Sequence, residues 1–145
     1  MPRSLKPIDP RGPRFNQAMV SVALLVAFVA DWRLVVPAVA AALLAGAAFG
    51  PRWNPVQRIY AALIRPRLGR PASLEDPRAP RFASAVGVAF LAASTVAFLA
   101  GSTTLGWVLA IIVAFLAGLA AATGICVGCE VYMWTARRRG VRLVA

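Results

Sequence analysis

The chain has two cysteines, Cys126 and Cys129, and they lie three residues apart near its C-terminal end. On a helix this spacing puts both sulfur atoms on one face, close enough to react with each other. Four interpretations of the pair are open. It is two small residues packed at an interface, a dithiol that handles electrons or sulfur, part of a metal site that needs two more ligands, or a palmitoylated or otherwise modified pair.

The course of the helix around the cysteines decides how reactive they are. If one helix runs unbroken through Cys129, the thiols lie near its C-terminal end, where the helix dipole and Glu130 both disfavour a thiolate. If the helix breaks at Gly124, Cys126 lies near a new N-terminus, where thiol pKa values fall. The sequence leaves both geometries open. Cys126 and Cys129 are therefore a candidate redox pair, and Glu130 is a candidate modulator of it.

Histidine is absent from the sequence. This excludes Ser-His and Cys-His nucleophile pairs, haem held by histidine and most zinc sites. We assign no metal site beyond the open alternative at the cysteines. We expect no cofactor, and we leave the question of an enzyme open, with no independent catalytic activity as the expectation.

The composition is that of a small membrane protein. Of the 145 residues, 60% are apolar and only 14% are charged, whereas about 25% are charged in an average soluble domain. The mean hydropathy is +0.72. These values argue against a disordered chain, a soluble basic domain and a secreted disulfide scaffold. We expect one membrane domain over residues 1–145.

Four apolar stretches predict an all-α fold with four transmembrane helices, since a span needs roughly 20 mostly apolar residues. The predicted helices cover about 16–30, 34–50, 82–100 and 105–127. The first two are short, and the alternative is a first hairpin that does not fully cross the membrane. A fifth helix is predicted at 56–64, where apolar residues follow i, i+3, i+4 spacing beside basic ones. It would lie on the membrane surface, start at Asn54-Pro55 and end at Pro66.

The basic residues predict the orientation in the membrane. The formal net charge is +11, which in a soluble protein would suggest a nucleic acid partner. Here the 16 basic residues avoid the apolar stretches, and all but Arg33 lie in the two tails or the middle connection. The positive-inside rule places those segments, and both termini, in the cytoplasm. We thus expect the lipid bilayer and no nucleic acid as a partner.

A seven-residue motif occurs twice, at 9–15 and 76–82, with six of seven residues identical. Its charged members are Asp9, Arg11 and Arg14 in the first copy and Asp76, Arg78 and Arg81 in the second. Each copy precedes a predicted helical hairpin. The chain is therefore interpreted as two parallel two-helix repeats, about 9–70 and 76–142, related by a pseudo-twofold axis along the membrane normal.

The motif itself predicts the start of a helix. The aspartate can accept hydrogen bonds from free backbone N–H groups, and proline suits the first helical position. The second arginine is expected to reach the lipid headgroups, and the aspartates to pair with nearby arginines. The alternative is a site for an anion or a partner at the pseudo-twofold axis.

The two motif copies, the repeated hairpin and the segment 123–130 together resemble a bacterial membrane family catalogued as domain of unknown function 4395. The resemblance covers about residues 8–139. It implies no established activity, but members often lie near genes for thioredoxin-like proteins and sulfurtransferases. It therefore points to thiol or sulfur chemistry at Cys126, Cys129 and Glu130, in the bacterial cytoplasmic membrane.

Three function hypotheses follow. The first is thiol redox or sulfur transfer at the cytoplasmic face, with a thioredoxin-like or sulfurtransferase protein docking on the basic surface. The second is a non-catalytic scaffold or assembly subunit of a homodimer or larger membrane complex, indifferent to the cysteines. The third is a small transporter or channel, which has the least support because no span centre carries a charge.

Overall fold

Apolar stretches of the chain form helices, because a helix satisfies its own backbone hydrogen bonds without water. The computed structural model describes residues 6–141. Its helices are α1 (Arg11–Ala30), α2 (Val35–Phe49), α3 (Pro55–Ile59), α4 (Arg65–Leu68), α5 (Arg78–Leu99), α6 (Thr103–Thr123) and α7 (Val127–Arg138). A 3-10 turn covers Pro51–Trp53, and a π-helical turn over Tyr60–Ile64 joins α3 to α4. No strand occurs within residues 6–141, so the all-α prediction is confirmed.

Three helices are long enough and apolar enough to cross a membrane, namely α1, α5 and α6. The first of them begins at Arg11, five residues before its predicted start, and thereby reaches 20 residues. The α2 helix has 15 residues, which at about 1.5 Å per residue is about 22 Å, less than the roughly 30 Å of a bilayer core. A membrane protein with three such helices is supported, and a fourth span by α2 stays a prediction.

The molecule has two ends of opposite character. At one end, short connections at Asp31–Leu34 and Ala100–Ser102 join α1 to α2 and α5 to α6, and this hairpin end carries Arg33. At the other, α1 and α5 begin, α2 and α6 end, and the shorter helices α3, α4 and α7 adjoin them. We call it the basic end, because the remaining basic residues of the described chain belong to it.

The long helices pack as crossed pairs. The α1 helix lies mainly against α6, α2 lies against α5, and α5 also lies against α6. Leu24, Val36, Leu91 and Ala110 are fully buried between them. Small residues allow the helices to approach closely, as is usual in membranes. For example, a Cβ atom at Gly118 of α6 would lie 2.8 Å from the Ser21 hydroxyl of α1.

The helix predicted at 56–64 forms, but helical structure continues beyond its predicted end. Asn54 begins it, since its side-chain oxygen accepts a hydrogen bond of 3.0 Å from the backbone N–H of Val56. The prediction that Pro66 ends this helix is wrong. The π turn accommodates Pro66 within the helix. The N–H of Arg65 donates to Tyr60 O, five residues earlier, and helical structure continues to Leu68.

The two motif copies make matching contacts. Ile8 and Glu75, the residues just before each copy, form an isolated antiparallel bridge with two hydrogen bonds of 2.9 Å. The motif phenylalanines Phe15 and Phe82 contact the rings of Tyr60 and Tyr132, at 5.5 and 5.6 Å between centroids. Matching contacts of this kind are expected if the chain consists of two repeats. The division into two repeats stays a prediction.

Candidate thiol site

The backbone around Gly124 sets the position of the cysteines. Gly124 ends α6 in a left-handed conformation with φ of 78°, which residues with a Cβ rarely adopt. The prediction that this helix reaches residue 127 is therefore wrong, and it ends at Thr123. After the turn, Cys126 has an extended backbone and caps the N-terminus of α7. Of the two geometries open in the sequence, the broken helix is the one observed.

Polar groups lie around the Cys126 sulfur. From α1, Gln17 Nε2 donates a hydrogen bond to it at 3.3 Å. The Cys129 thiol and the backbone N–H groups of Cys129 and Gly128, at the start of α7, lie near enough to favour a negative charge on it. These donors favour a negative charge on sulfur, with the Cys129 thiol contributing most, and they outweigh the opposing effect of burial. They lower the pKa of Cys126 from 9.0 to about 6.

Cys129 is held in the opposite protonation state. Its thiol hydrogen is engaged with Cys126, and burial also disfavours its charged form, so its pKa is raised far above the ordinary range. The negative charges of Cys126, Glu75 and Glu130 act in the same direction. Both cysteines are free thiols and partly buried. The surroundings of the two thiols are therefore asymmetric, since they favour the thiolate form at Cys126 and the thiol form at Cys129.

Glu130 lies in the first turn of α7 and its side chain is exposed. Its backbone N–H donates to Cys126 O at 2.9 Å, which closes the first turn of the helix. Its charge acts on Cys129 as described, and its modulating role stays a prediction.

The repeated motif makes contacts at helix ends, and the alternative of an anion or partner site there stays untested. Asp9 Oδ1 accepts from the N–H of Arg11 at 2.9 Å, and Asp76 Oδ1 accepts from the N–H of Arg78 at the same distance. The motif aspartates thus begin α1 and α5, as predicted. Asp76 also lies 3.9 Å from the guanidinium of Arg78.

The motif arginines bind carbonyl groups at helix ends. Arg81 donates to Ala47 O and Ala48 O, both at 3.0 Å, and so closes the C-terminus of α2. The free carbonyl oxygens at this helix C-terminus provide its partners, and its contact with lipid headgroups stays a prediction. Arg11 donates to Leu68 O at 3.2 Å. Arg14, the counterpart of Arg81, lies against Gly124 at the end of α6.

Gln17 was not identified from the sequence. The sequence feature that could have indicated its role is an amide side chain inside a predicted apolar span, next to Asn16. Asn16 is buried, and its side-chain oxygen accepts a hydrogen bond of 3.1 Å from Asn54 Nδ2. Two adjacent polar residues of α1 therefore hold the starts of two different helices, α3 through Asn54 and α7 through Cys126.

An apolar cavity of about 260 Å³ lies beside Cys126. It extends from the basic end towards the middle of the bundle, between side chains of α1, α5, α6 and α7, with one residue each from α2 and α3. Gln17 lines it next to the thiol, and the buried side chains of Leu43 and Val113 also line it. Sequence reasoning gave no sign of this space, because it depends on how several helices cross.

The described residues contain no cluster of three or more His, Cys, Asp or Glu side chains that could hold a metal ion. The two thiols themselves have a chemistry of their own. A thiolate with a neighbouring thiol can exchange with disulfides or accept sulfur from a persulfide.

Comparison with known proteins agrees with the resemblance. No curated protein and no solved structure matches the chain. One family model matches residues 8–137, which include both motif copies, all the helices but the last residue of α7, and both cysteines. The chain therefore belongs to the family described as Domain of unknown function (DUF4395).

Proposed function

We propose that this protein takes part in thiol redox or sulfur transfer at the cytoplasmic face of a bacterial inner membrane, through Cys126 and Cys129. The observation that carries the proposal is the position of Cys126. It occupies the N-cap position of α7, Gln17 of α1 donates a hydrogen bond to its sulfur, and the Cys129 thiol and the first N–H groups of α7 lie near that sulfur and lower its pKa. Such an arrangement is typical of reactive cysteines and is unnecessary for a cysteine that only fills space.

The two thiols have different tasks in this proposal. The Cys126 thiolate attacks one sulfur of a partner disulfide, which forms a mixed disulfide and releases the other partner sulfur as a thiolate. Cys129 then attacks the Cys126 sulfur, its proton passes to the leaving partner thiolate, and the Cys126–Cys129 disulfide forms. With a persulfide partner, Cys126 takes the outer sulfur and the partner leaves as a thiolate.

The basic end provides the docking surface for a thioredoxin-like or sulfurtransferase partner. Arg137, Arg138 and Arg139 are exposed in the last turn of α7 or directly after it, and they follow the thiols on the same helix. A surface of this charge attracts an acidic face of a soluble protein. The positive-inside rule puts it in the cytoplasm, together with both termini.

A redox titration tests the proposal. The purified full chain is equilibrated in buffers of reduced and oxidised dithiothreitol, and the oxidised fraction is measured by mass after alkylation. We expect reversible loss of two hydrogens, with one midpoint. The Cys126→Ser and Cys129→Ser variants should show no such change.

The competing hypothesis, a non-catalytic scaffold within a homodimer or larger complex, makes the opposite prediction. A chain that stays a dithiol across the whole titration, while co-purifying with a partner equally well with and without its cysteines, would favour the scaffold.

A further inference from the structure

The cavity beside Cys126 is large enough for a single substituted ring. An engineered apolar protein cavity of about 150 Å³ takes up benzene, and this cavity measures about 260 Å³. Its inner wall consists of core side chains, with Val20, Leu43 and Val113 between 5% and 9% exposed. Such a wall favours an apolar occupant, because it offers no partner for a polar one.

Part of the cavity wall is exposed on the outer surface of the two long helices. Val86 and Phe90 of α5 and Ile112 and Leu116 of α6 line the cavity and are between 36% and 39% exposed. We call the side that these four residues border the mouth of the cavity. These residues lie well inside two helices that are long enough to cross a bilayer. A molecule dissolved among acyl chains can therefore reach the cavity without crossing water.

The end of the cavity near the thiol is polar. Gln17, whose amide contacts the Cys126 sulfur at 3.3 Å, lines this end, and Asn16, Gln57 and Ser84 also line the cavity. Amide and hydroxyl groups can donate hydrogen bonds to an occupant. An occupant that suits the whole space has an apolar body and an oxygen acceptor that lies close to the Cys126 sulfur. To react productively with a dithiol, it must also accept two electrons.

We propose that a membrane-dissolved quinone occupies this cavity and oxidises the Cys126–Cys129 dithiol. A quinone combines the three properties, since its ring is apolar, its carbonyl oxygens accept hydrogen bonds and it takes up two electrons. The inference rests on the proposed function, because it requires that the two cysteines form a disulfide. It goes further in naming the electron acceptor and in linking the cytoplasmic thiols to the membrane.

The reaction balances in two steps. Cys126 Sγ adds to an electron-poor ring carbon, so that a C–S bond forms and negative charge moves to a ring oxygen. Cys129 then loses its proton and attacks Cys126 Sγ. The S–S bond forms, the C–S bond breaks, and its electron pair stays on the ring. The ring oxygens take one proton from Cys129 and one from water, which had received the Cys126 proton, so the quinone leaves as a quinol.

The test uses the reduced full chain in phosphatidylcholine nanodiscs, without oxygen, and a short-chain ubiquinone analogue as the probe. Quinone absorbance and disulfide formation are followed together. We expect one quinol per disulfide in the unmodified chain and none in Cys126→Ser. Val86→Trp should slow the reaction about tenfold or more, because its ring blocks the mouth and displaces the quinone. Val96→Trp is the matched control, since Val96 lies on the same helix, is 63% exposed and does not line the cavity.

Diamide, a water-soluble thiol oxidant, separates the two proposals and also shows that each variant is folded at the thiol site. If diamide forms the disulfide and the quinone does not, the quinone proposal is overturned and the proposed function stands. A cavity filled by a lipid chain would give that result. If neither reagent forms a disulfide, both proposals fail. Equal quinone rates in Val86→Trp and Val96→Trp would overturn the cavity as the route.

Discussion

Cys126 should react with iodoacetamide at pH 7 about ten times faster than an ordinary cysteine. With a pKa of about 6 most of Cys126 is thiolate at that pH, whereas a thiol with a pKa near 8.5 is only a few per cent ionised. The increase in rate is smaller than the increase in the ionised fraction, because the thiolate of a thiol with a lower pKa is a weaker nucleophile. The rate should rise as pH increases through about 6 and be flat between pH 7 and 9, where an ordinary thiol still gains reactivity.

Two variants of Cys129 separate the causes of this reactivity. Cys129→Ser leaves one thiol, so the rate belongs to Cys126, and its hydroxyl can still donate to that sulfur. Cys129→Ala removes this donor, which contributes most to the lowered pKa of Cys126. The midpoint of the pH–rate profile should stay near 6 in the serine variant and move upwards in the alanine variant. A midpoint in the ordinary thiol range for both variants would contradict the assigned geometry.

Gly124→Ala should both destabilise the protein and reduce the reactivity of Cys126. A residue with a Cβ at φ of 78° is strained, at a cost of roughly 1–2 kcal/mol. In addition, the new Cβ would overlap the guanidinium of Arg14. To relieve the backbone strain and the overlap, the chain after residue 124 must move, and this displaces the start of α7. The backbone N–H groups of α7 then no longer lie near the Cys126 sulfur. Thermal unfolding and the alkylation rate at pH 7 are measured together.

Gly101→Ala is the matched control for this variant. Gly101 has a similar φ of 83°, but nothing lies within 4 Å of its added Cβ, and it is at the hairpin end. This substitution should lower thermal stability through strain alone and leave the alkylation rate unchanged. If Gly124→Ala retains the rapid alkylation of the unmodified chain, the turn at Gly124 does not control the thiol.

Much of the fold could be predicted from sequence because apolar stretches of about 20 residues have few structural options in a membrane. The starts of α1 and α5 also follow from local chemistry, since each motif aspartate binds a backbone N–H only two residues away. The first helix nevertheless begins before its predicted start at 16. The prediction used the first apolar residues, whereas the structure uses the aspartate turn, which incorporates Arg11 and Arg14 into the helix.

The parts that could not be predicted depend on contacts between distant segments. A glycine such as Gly124 can continue a helix or end it, and the choice here goes with the packing of Arg14 from another helix. Gln17 is 109 residues away from Cys126 in sequence, so no local spacing connects them. Arg81 similarly finds its carbonyl partners in α2, more than 30 residues earlier.

Our central proposal is an asymmetric pair of thiols at the basic end of a membrane protein, with Cys126 accessible from the cytoplasm and Cys129 protected. Labelling with an impermeant maleimide, on right-side-out and inverted vesicles and with and without prior reduction, tests it most directly. We expect rapid labelling of Cys126 in inverted vesicles only, and more of it after mild reduction. Cys129 should be labelled only when the protein is denatured. Labelling from the outer face, or no labelling of either cysteine before denaturation, would contradict the account.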